Sequence, residues 1–162
     1  MLLNALYTVS LVVNIILIPI SIYIFFKKRK TLNIPLILQI TLIVMMIDLL
    51  DIASTIHCFE IYKSVEIEAN PYTRFVVGEL GYWGFIPLFL LDVLFVFSMS
   101  CISFFLLVHF LPRIYEIFPP KTKLDRWIYE RRKKVGRISF YVGWIVIITL
   151  YISVPFHNWK VC

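Results

Sequence analysis

Cysteine is scarce in this chain, and the motifs of common hydrolases are missing. The cysteines are Cys58, Cys101 and Cys162, and no two of them form a Cys-x-x-Cys pair. Neither His-Glu-x-x-His nor Gly-x-Ser-x-Gly occurs, which excludes the zinc helix and the nucleophile elbow that these motifs build. Cys101 is expected to pack as a small apolar residue. Cys58 and Cys162 leave a disulfide open as an alternative to two free thiols.

Lys and Arg are absent from four long apolar segments, residues 2–26, 34–59, 83–111 and 138–156. A helix that crosses a bilayer needs roughly 20 mostly apolar residues, and all four segments are close to that length or longer. Hydrophobic residues make up 60% of the chain, and the mean hydropathy is +0.87. The composition predicts an all-α integral membrane protein, a four-helix bundle that forms one domain over residues 1–162.

Positive charge is concentrated in two of the connections between these segments. Of the 16 Lys and Arg residues, four lie at residues 27–30 and nine lie between residues 113 and 137. Connections rich in Lys and Arg stay in the cytoplasm. Both basic connections are therefore predicted to be cytoplasmic, and the N-terminus and the C-terminus are both predicted to be outside. The first segment is not expected to be a cleaved signal peptide, because its apolar run is too long and basic residues follow it.

The second basic connection, residues 112–137, mixes Lys and Arg with Leu124, Trp127 and Ile128. This mixture predicts a short interfacial helix on the inner leaflet, with a partner-binding surface as the alternative. Attraction to anionic lipid, ~1 kcal/mol per basic residue near the surface, accounts for the net charge of +6 without a nucleic-acid partner. The candidate lipid-surface residues are Arg131, Arg132, Lys133 and Lys134.

Aspartates interrupt two of the apolar segments. Charged groups at bilayer depth are rare and by default mark a functional site. At about 100° per residue, Asp48, Asp51 and Thr55 share one helix face, and a rise of ~1.5 Å per residue places Asp51 and Asp92 both ~12 Å from the outer surface. Asn14 is expected at a depth similar to that of Asp48. The candidate intramembrane polar cluster is Asp48, Asp51, Thr55, Asp92 and Asn14.

Three carboxylates cannot all stay ionised and unpaired in the bilayer. One or more is protonated and acts as hydrogen-bond glue between helices, or they hold a cation, or a partner chain or ligand supplies the opposite charge. A metal site at Asp48, Asp51 and Asp92 would have oxygen ligands only, because His57 points to the other face of its helix. Such a site favours the divalent cations Mg²⁺ or Ca²⁺ over Zn²⁺.

A short polar motif, Glu68-Ala69-Asn70-Pro71, follows in the outer connection. Asn-Pro indicates a turn, with Glu68 either capping a helix end or solvated. Alternatively, the connection folds back over the outer end of the helices and Glu68 joins the carboxylates. With the stretch Asp51-Ile-Ala-Ser-Thr55, the motif resembles an uncharacterised family of small prokaryotic polytopic membrane proteins, which share an Asp-x-x-x-Thr helix followed by a Glu-x-Asn-Pro loop (a domain of unknown function). The resemblance covers residues 49–91. It implies no activity, but it implies that Asp51, Thr55, Glu68, Asn70 and Pro71 act as one unit.

Three functions fit this sequence. The first is a non-catalytic accessory or assembly subunit of a larger complex in the cell membrane, because a small bundle with 17% aromatic residues suits contacts with other membrane subunits or with itself. The second is a metal-assisted hydrolase or transferase that acts on lipid. The third is an ion or proton carrier, which the scarcity of polar residues in the cytoplasmic half disfavours.

Overall fold

The computed structural model describes residues 2–64, 68, 70–117 and 122–161. The structure is 95% helical, and its described residues include no strand. Two 3-10 turns occur, Arg29–Thr31 after the first α-helix and Gly81–Gly84 before the fourth α-helix. A π-helical segment, Leu106–Phe110, follows the fourth α-helix. The α-helices are α1 (Leu2–Lys28), α2 (Ile34–Tyr62), α3 (Pro71–Leu80), α4 (Phe85–Phe105), α5 (Leu111–Ile117) and α6 (Lys123–Val161).

Among the described residues, three helical stretches are long and apolar enough to cross a membrane. They are Ile34–Tyr62, Pro71–Ile114 and Lys123–Phe156. The prediction of an all-helical chain with apolar helices is thereby confirmed, and these stretches indicate a membrane protein. The remaining long helix, α1, has 27 residues, and its crossing of the membrane stays a prediction.

The helices α2 and α4 lie at the centre of the arrangement. In the described residues, α4 packs against both α1 and α2, and α2 packs against both α4 and α6. The short connection between α1 and α2 suggests that they are neighbours, but α1 makes its main contacts with α4. The Ser21 hydroxyl donates a buried hydrogen bond to the Ser98 hydroxyl oxygen at 2.8 Å, which joins α1 to α4. The most deeply buried apolar side chains are those of Ile37, Val44, Cys101 and Phe140.

The last helix is longer than the sequence predicts. Thr122 and Asp125 cap its start reciprocally, since the Asp125 amide donates to Thr122 Oγ1 and the Thr122 amide donates to Asp125 Oδ2, both at 3.0 Å. From there α6 runs for 39 residues, about 58 Å at the usual rise per residue. The basic turns around Trp127 therefore belong to the same helix as the fourth apolar segment. The described part of the connection also holds the short helix α5, and an interfacial helix on the inner leaflet stays a prediction.

The π-helical segment is the junction of three elements at one end of the bundle. His109 Nε2 lies 2.6 Å from the backbone oxygen of Thr31, in the turn that follows α1. On another side, Gly136 of α6 lies so close to the backbone of Leu107 that a Cβ atom at Gly136 would overlap the Leu107 oxygen. We call this end, which carries residues 27–30 and 131–137, the basic end, and the opposite end, which carries Glu68 and Asn70, the motif end.

Candidate functional site

Three carboxyl groups converge where α2 packs against α4. Asp48 of α2 lies close enough to Asp51 and to Asp92 of α4 for their charges to interact, and Asp92 lies within the same range of Asp51. Asp48 and Asp51 are three residues apart and so occupy one face of α2. We call these three residues the carboxylate cluster. The structure thus brings together the three aspartates that the sequence singles out.

The protein shields the carboxylate cluster unevenly. Asp48 and Asp51 are partly buried, whereas Asp92 is exposed. One carboxylate oxygen, Asp48 Oδ2, is buried and has no hydrogen-bond partner among the described residues. An unpaired polar atom that is removed from water is unfavourable by about 1–3 kcal/mol. The cluster therefore has hydrogen-bonding capacity that the described part of the chain does not satisfy.

Two hydroxyl residues of α2 lie beside the carboxylate cluster. Ser54 is completely buried, donates to the backbone oxygen of Asp51 at 2.8 Å and also lies against the carboxyl group of that residue. Thr55 is buried as well, with 7% of its surface exposed. The sequence points to Thr55 and not to Ser54, although Ser54 is three residues from Asp51 and so on the adjoining helix turn.

Tyr151 is a further residue of the site that is not evident from the sequence. It lies on α6, and it interacts electrostatically with Asp92, Asp48 and Asp51. The packing of α2 against α6 brings it there. The signal in the sequence was a phenol group inside the fourth apolar segment, five residues from the end of that segment. Tyrosine is amphipathic, and its hydroxyl group needs a partner when it lies among apolar groups.

The Glu68–Pro71 motif forms the start of α3. Asn70 is the N-cap residue, and its Oδ1 accepts hydrogen bonds from the amides of Tyr72 at 3.0 Å and Thr73 at 3.5 Å. Pro71 occupies the first turn, where its missing amide hydrogen does no harm. The Asn-Pro pair therefore begins a helix rather than only a turn.

Glu68 takes part in both arrangements that the sequence leaves open. Its Oε1 accepts a hydrogen bond from the amide of Asn70 at 2.8 Å, next to the helix start. Its charge also lies within range of Asp51. The connection thus brings Glu68 within range of Asp51, and the action of the motif residues as one unit stays a prediction.

Arg74 holds this motif in place and was not singled out from the sequence. Its guanidinium group donates two hydrogen bonds to the backbone oxygen of Glu68, from Nε at 3.1 Å and from Nη2 at 2.7 Å. A planar guanidinium group suits such a paired contact. The signal was the position of Arg74 in the first turns of α3, within reach of the residues before the N-cap.

The roles predicted for Asn14 in the polar cluster and for Cys162 in a disulfide stay predictions. Asn14 lies on α1, but its side chain is outside the described residues. Cys58, near the motif end of α2, is disulfide-bonded, whereas Cys101 is free and buried. Cys162 lies outside the described residues. The cysteine chemistry that the sequence leaves open therefore involves Cys58 and not Cys101.

The geometry lends no support to a metal site. Among the residues that the structure describes, no group of three or more His, Cys, Asp or Glu side chains is placed so that it could hold a metal ion. Asp48, Asp51 and Asp92 are thus near enough to interact electrostatically without being arranged as ligands. A Mg²⁺ or Ca²⁺ site at these residues stays a prediction.

The candidate lipid-surface residues occupy consecutive positions of α6 at the basic end. The guanidinium group of Arg131 lies 5.1 Å from the ring centroid of Trp127. That of Arg132 lies 4.3 Å from the ring centroid of Tyr129 and donates to the Tyr129 backbone oxygen at 2.8 Å. Lys133 and Lys134 are exposed. The two arginines are thus held by neighbouring aromatic residues, and the two lysines are open to contacts with other molecules.

Comparisons with protein-family models, with curated proteins and with solved structures find no match for this chain. The resemblance to the small prokaryotic membrane proteins depends on the motif residues between 49 and 91 and stays a prediction. The function is therefore inferred from the site and from the arrangement of the helices.

Proposed function

We propose that this chain is a multi-pass protein of the cell membrane and a non-catalytic accessory or assembly subunit of a larger complex. The partner contact is the carboxylate cluster together with Tyr151. The proposed arrangement has four membrane-spanning helices, with both termini outside and the basic end in the cytoplasm. Its family is that of the small prokaryotic membrane proteins with the Glu-x-Asn-Pro loop.

The observation that carries the proposal is the exposure of Asp92. This carboxyl group lies about eight residues inside an apolar segment, yet it is exposed. A carboxyl group that faces lipid at this depth is unfavourable by about 2.5 kcal/mol or more. Helix-to-helix contacts in membranes satisfy such groups by hydrogen bonding. A helix of another subunit, or of a second copy, would cover Asp92 and remove it from lipid.

The chemistry of the cluster indicates what the covering helix offers. The four apolar segments contain no Lys or Arg, so the opposite charge is not available within them. Asp48 Oδ2 is buried and accepts no hydrogen bond from the described residues. A Lys, an Arg or a neutral hydrogen-bond donor on the partner helix would pair with these carboxyl groups and be held beside Tyr151.

Two features support the proposed orientation. Both clusters of Lys and Arg lie at the basic end, as expected for a cytoplasmic side. Cys58 lies toward the motif end and is disulfide-bonded, which fits an oxidising compartment outside the cytoplasm. The carboxylate cluster would then lie in the outer half of the membrane.

The experiment is mild detergent extraction of the tagged chain from native membranes, followed by mass spectrometry of the chains that purify with it. We expect a stoichiometric partner or a defined oligomer with the wild type, and its loss with Asp92→Leu. Gln39→Leu is the matched control, because Gln39 is another exposed polar residue of an apolar segment, near the basic end.

The outcomes separate the roles of Asp92. If Asp92→Asn retains the partner, a hydrogen bond suffices; if Asp92→Asn behaves like Asp92→Leu, the negative charge is required. A wild-type chain that purifies only as a monodisperse monomer after mild extraction contradicts the proposal. So does an Asp92→Leu variant that keeps its partner.

A further inference from the structure

Two basic clusters that are about a hundred residues apart in the sequence both lie next to residues that contact the π-helical segment. The turn after α1 touches this segment through Thr31, whose backbone oxygen lies 2.6 Å from His109 Nε2. The middle of α6 touches it through Gly136, which packs on the backbone of Leu107. Leu107 and His109 belong to the same helical turn. Residues 27–30 and residues 133–137 therefore flank one short stretch of the protein from two sides.

The side chains of both clusters are available for binding. Lys28 at the end of α1 and Arg29 in the turn after it are exposed, as are Lys134 and Arg137 on α6. Acidic residues are few in this part of α6, and one of them, Asp125, takes part in the cap of the helix. The positive charge of the two clusters is therefore compensated little by the protein itself. Within residues 27–30 and 131–137, the exposed Lys and Arg side chains are Lys27, Lys28, Arg29, Lys30, Arg131, Lys133, Lys134 and Arg137.

Exposed apolar side chains border these clusters directly. Phe26 precedes the first cluster and is 75% exposed, and Ile138 follows the second and is 51% exposed. Phe110, in the π-helical segment between them, is 48% exposed. A ligand that fills this region must therefore offer negative charge to the Lys and Arg side chains and apolar chains to the residues beside them. A free anion meets only the first condition, and a phospholipid meets both.

We propose that the basic end holds an anionic phospholipid, whose phosphate lies between residues 27–30 and residues 133–137 and whose acyl chains run along Phe26, Phe110 and Ile138. We call this the headgroup site. Basic pockets between membrane helices are known to hold the head groups of anionic lipids. The site lies at the opposite end of the helices from the carboxylate cluster and does not depend on the proposed partner contact.

The test is native mass spectrometry of the full chain in detergent with added phosphatidylglycerol or phosphatidylcholine. Each basic residue near an anionic lipid contributes about fivefold in affinity. We expect the wild type to retain phosphatidylglycerol at least tenfold better than phosphatidylcholine. Lys134→Gln/Arg137→Gln should lower the affinity for phosphatidylglycerol about thirtyfold, and Lys28→Gln/Arg29→Gln on the other side should do the same.

The matched control removes the same charge from the same helix farther from the membrane. Lys123 and Arg126 are exposed on α6, about 18 Å or more from Ile138 along the helix, beyond the Debye length of ~8–10 Å. Lys123→Gln/Arg126→Gln should change the affinity less than threefold. Unchanged melting midpoints would show that all three double variants are folded.

Three results would overturn the headgroup site. The first is equal retention of the two lipids by the wild type. The second is an equal loss of affinity in Lys123→Gln/Arg126→Gln and in Lys134→Gln/Arg137→Gln, which would indicate attraction to net charge alone. The third is displacement of the lipid by inorganic phosphate at similar concentration, which would indicate a site for a free anion. None of these results bears on the purification of a partner through Asp92.

Discussion

Gly136 of α6 packs on the backbone of Leu107 in the π-helical segment, so closely that a Cβ atom at position 136 would overlap the Leu107 oxygen. The contact joins the last helix to the end of α4, although α4 and α6 have few other contacts in the described residues. Only glycine allows two backbones to approach to this distance. The residue type at position 136 therefore determines how α6 sits against the rest of the helices.

Gly136→Ala is expected to destabilise the protein by about 1–3 kcal/mol, the usual range for overpacking. The reason is that the added methyl group meets backbone, which cannot rotate away. Gly143→Ala is the matched control, because Gly143 lies on the same helix and a Cβ atom there meets nothing within 4 Å. Thermal unfolding in detergent, followed by circular dichroism, measures both variants.

The control variant should be neutral or slightly more stable than the wild type, since alanine favours a helix over glycine by about 0.5–1 kcal/mol. Equal melting midpoints of the two variants would show that α6 does not pack on Leu107 as described.

Asn70→Ala should weaken α3 at its start. The Asn70 side chain accepts hydrogen bonds from two amides of the first turn, and loss of such a cap costs about 1 kcal/mol. Because α3 has only ten residues and helices of this length are marginal alone, amide exchange over residues 72–76 should become about fivefold faster. Hydrogen exchange with mass spectrometry measures it.

Asn33→Ala serves as the comparison, since Asn33 caps α2 with one longer contact, 3.4 Å from the Leu36 amide. The much longer α2 is stabilised by packing along its length, so its exchange should change little. Similar changes in both helices would contradict the role of Asn70 as a cap of a marginal helix.

Cys58 should appear in a disulfide-linked peptide when the protein is digested without reduction. The chain has three cysteines and Cys101 is free, so we expect Cys162 to be the partner. Reduction should shift the mass of the Cys58 peptide and leave the Cys101 peptide unchanged. It should also lower stability by about 2–4 kcal/mol. An unlinked Cys58 peptide from protein isolated under non-reducing conditions would contradict this pairing.

Chelation of divalent cations is expected to leave the melting midpoint of the wild type unchanged. The described residues hold no group of three or more potential ligands placed for a metal ion, and the partner contact needs none. A bound cation at a hundred times its dissociation constant would stabilise the fold by about 2.7 kcal/mol. The comparison is Asp48→Asn, which removes one charge of the carboxylate cluster.

A midpoint that rises with Mg²⁺ or Ca²⁺ in the wild type but not in Asp48→Asn would contradict the partner contact as the sole role of these carboxyl groups. It would favour the metal-assisted hydrolase or transferase.

The long helices can be predicted well from the sequence, but the helices against which each of them packs cannot. The segment 34–59 corresponds to α2, Ile34–Tyr62, because a long apolar run indicates a helix without knowledge of its contacts. The Asn70-Pro71 pair predicts a turn, whereas the structure has the start of α3 there. The two cannot be told apart from the sequence, because the residue before proline avoids helical geometry both in a turn and at an N-cap. The continuity of α6 was missed because its character changes from basic to apolar near Gly136, while its backbone does not change.

The aspartates of the candidate site could be predicted from the sequence, but the residues that surround them could not. Asp48, Asp51 and Asp92 stand out because charge within an apolar run is visible without coordinates. Tyr151 and Ser54 do not stand out, because such residues are common in membrane helices. Which of them reaches a carboxyl group depends on helix rotation and on the pairing of α2 with α6.

The sequence by itself determined that this protein has apolar helices of membrane-spanning length, with three carboxyl groups inside them and positive charge at two connections. These properties depend on hydrophobicity and charge along the chain, which can be read from the sequence without knowing how the helices pack. Only the tertiary structure decided that α1 packs on α4, that Tyr151 lies beside the aspartates and that Thr31 and Gly136 both contact the π-helical segment. Those contacts depend on side-chain shape at close range, where one glycine, Gly136, sets how near two helices can come.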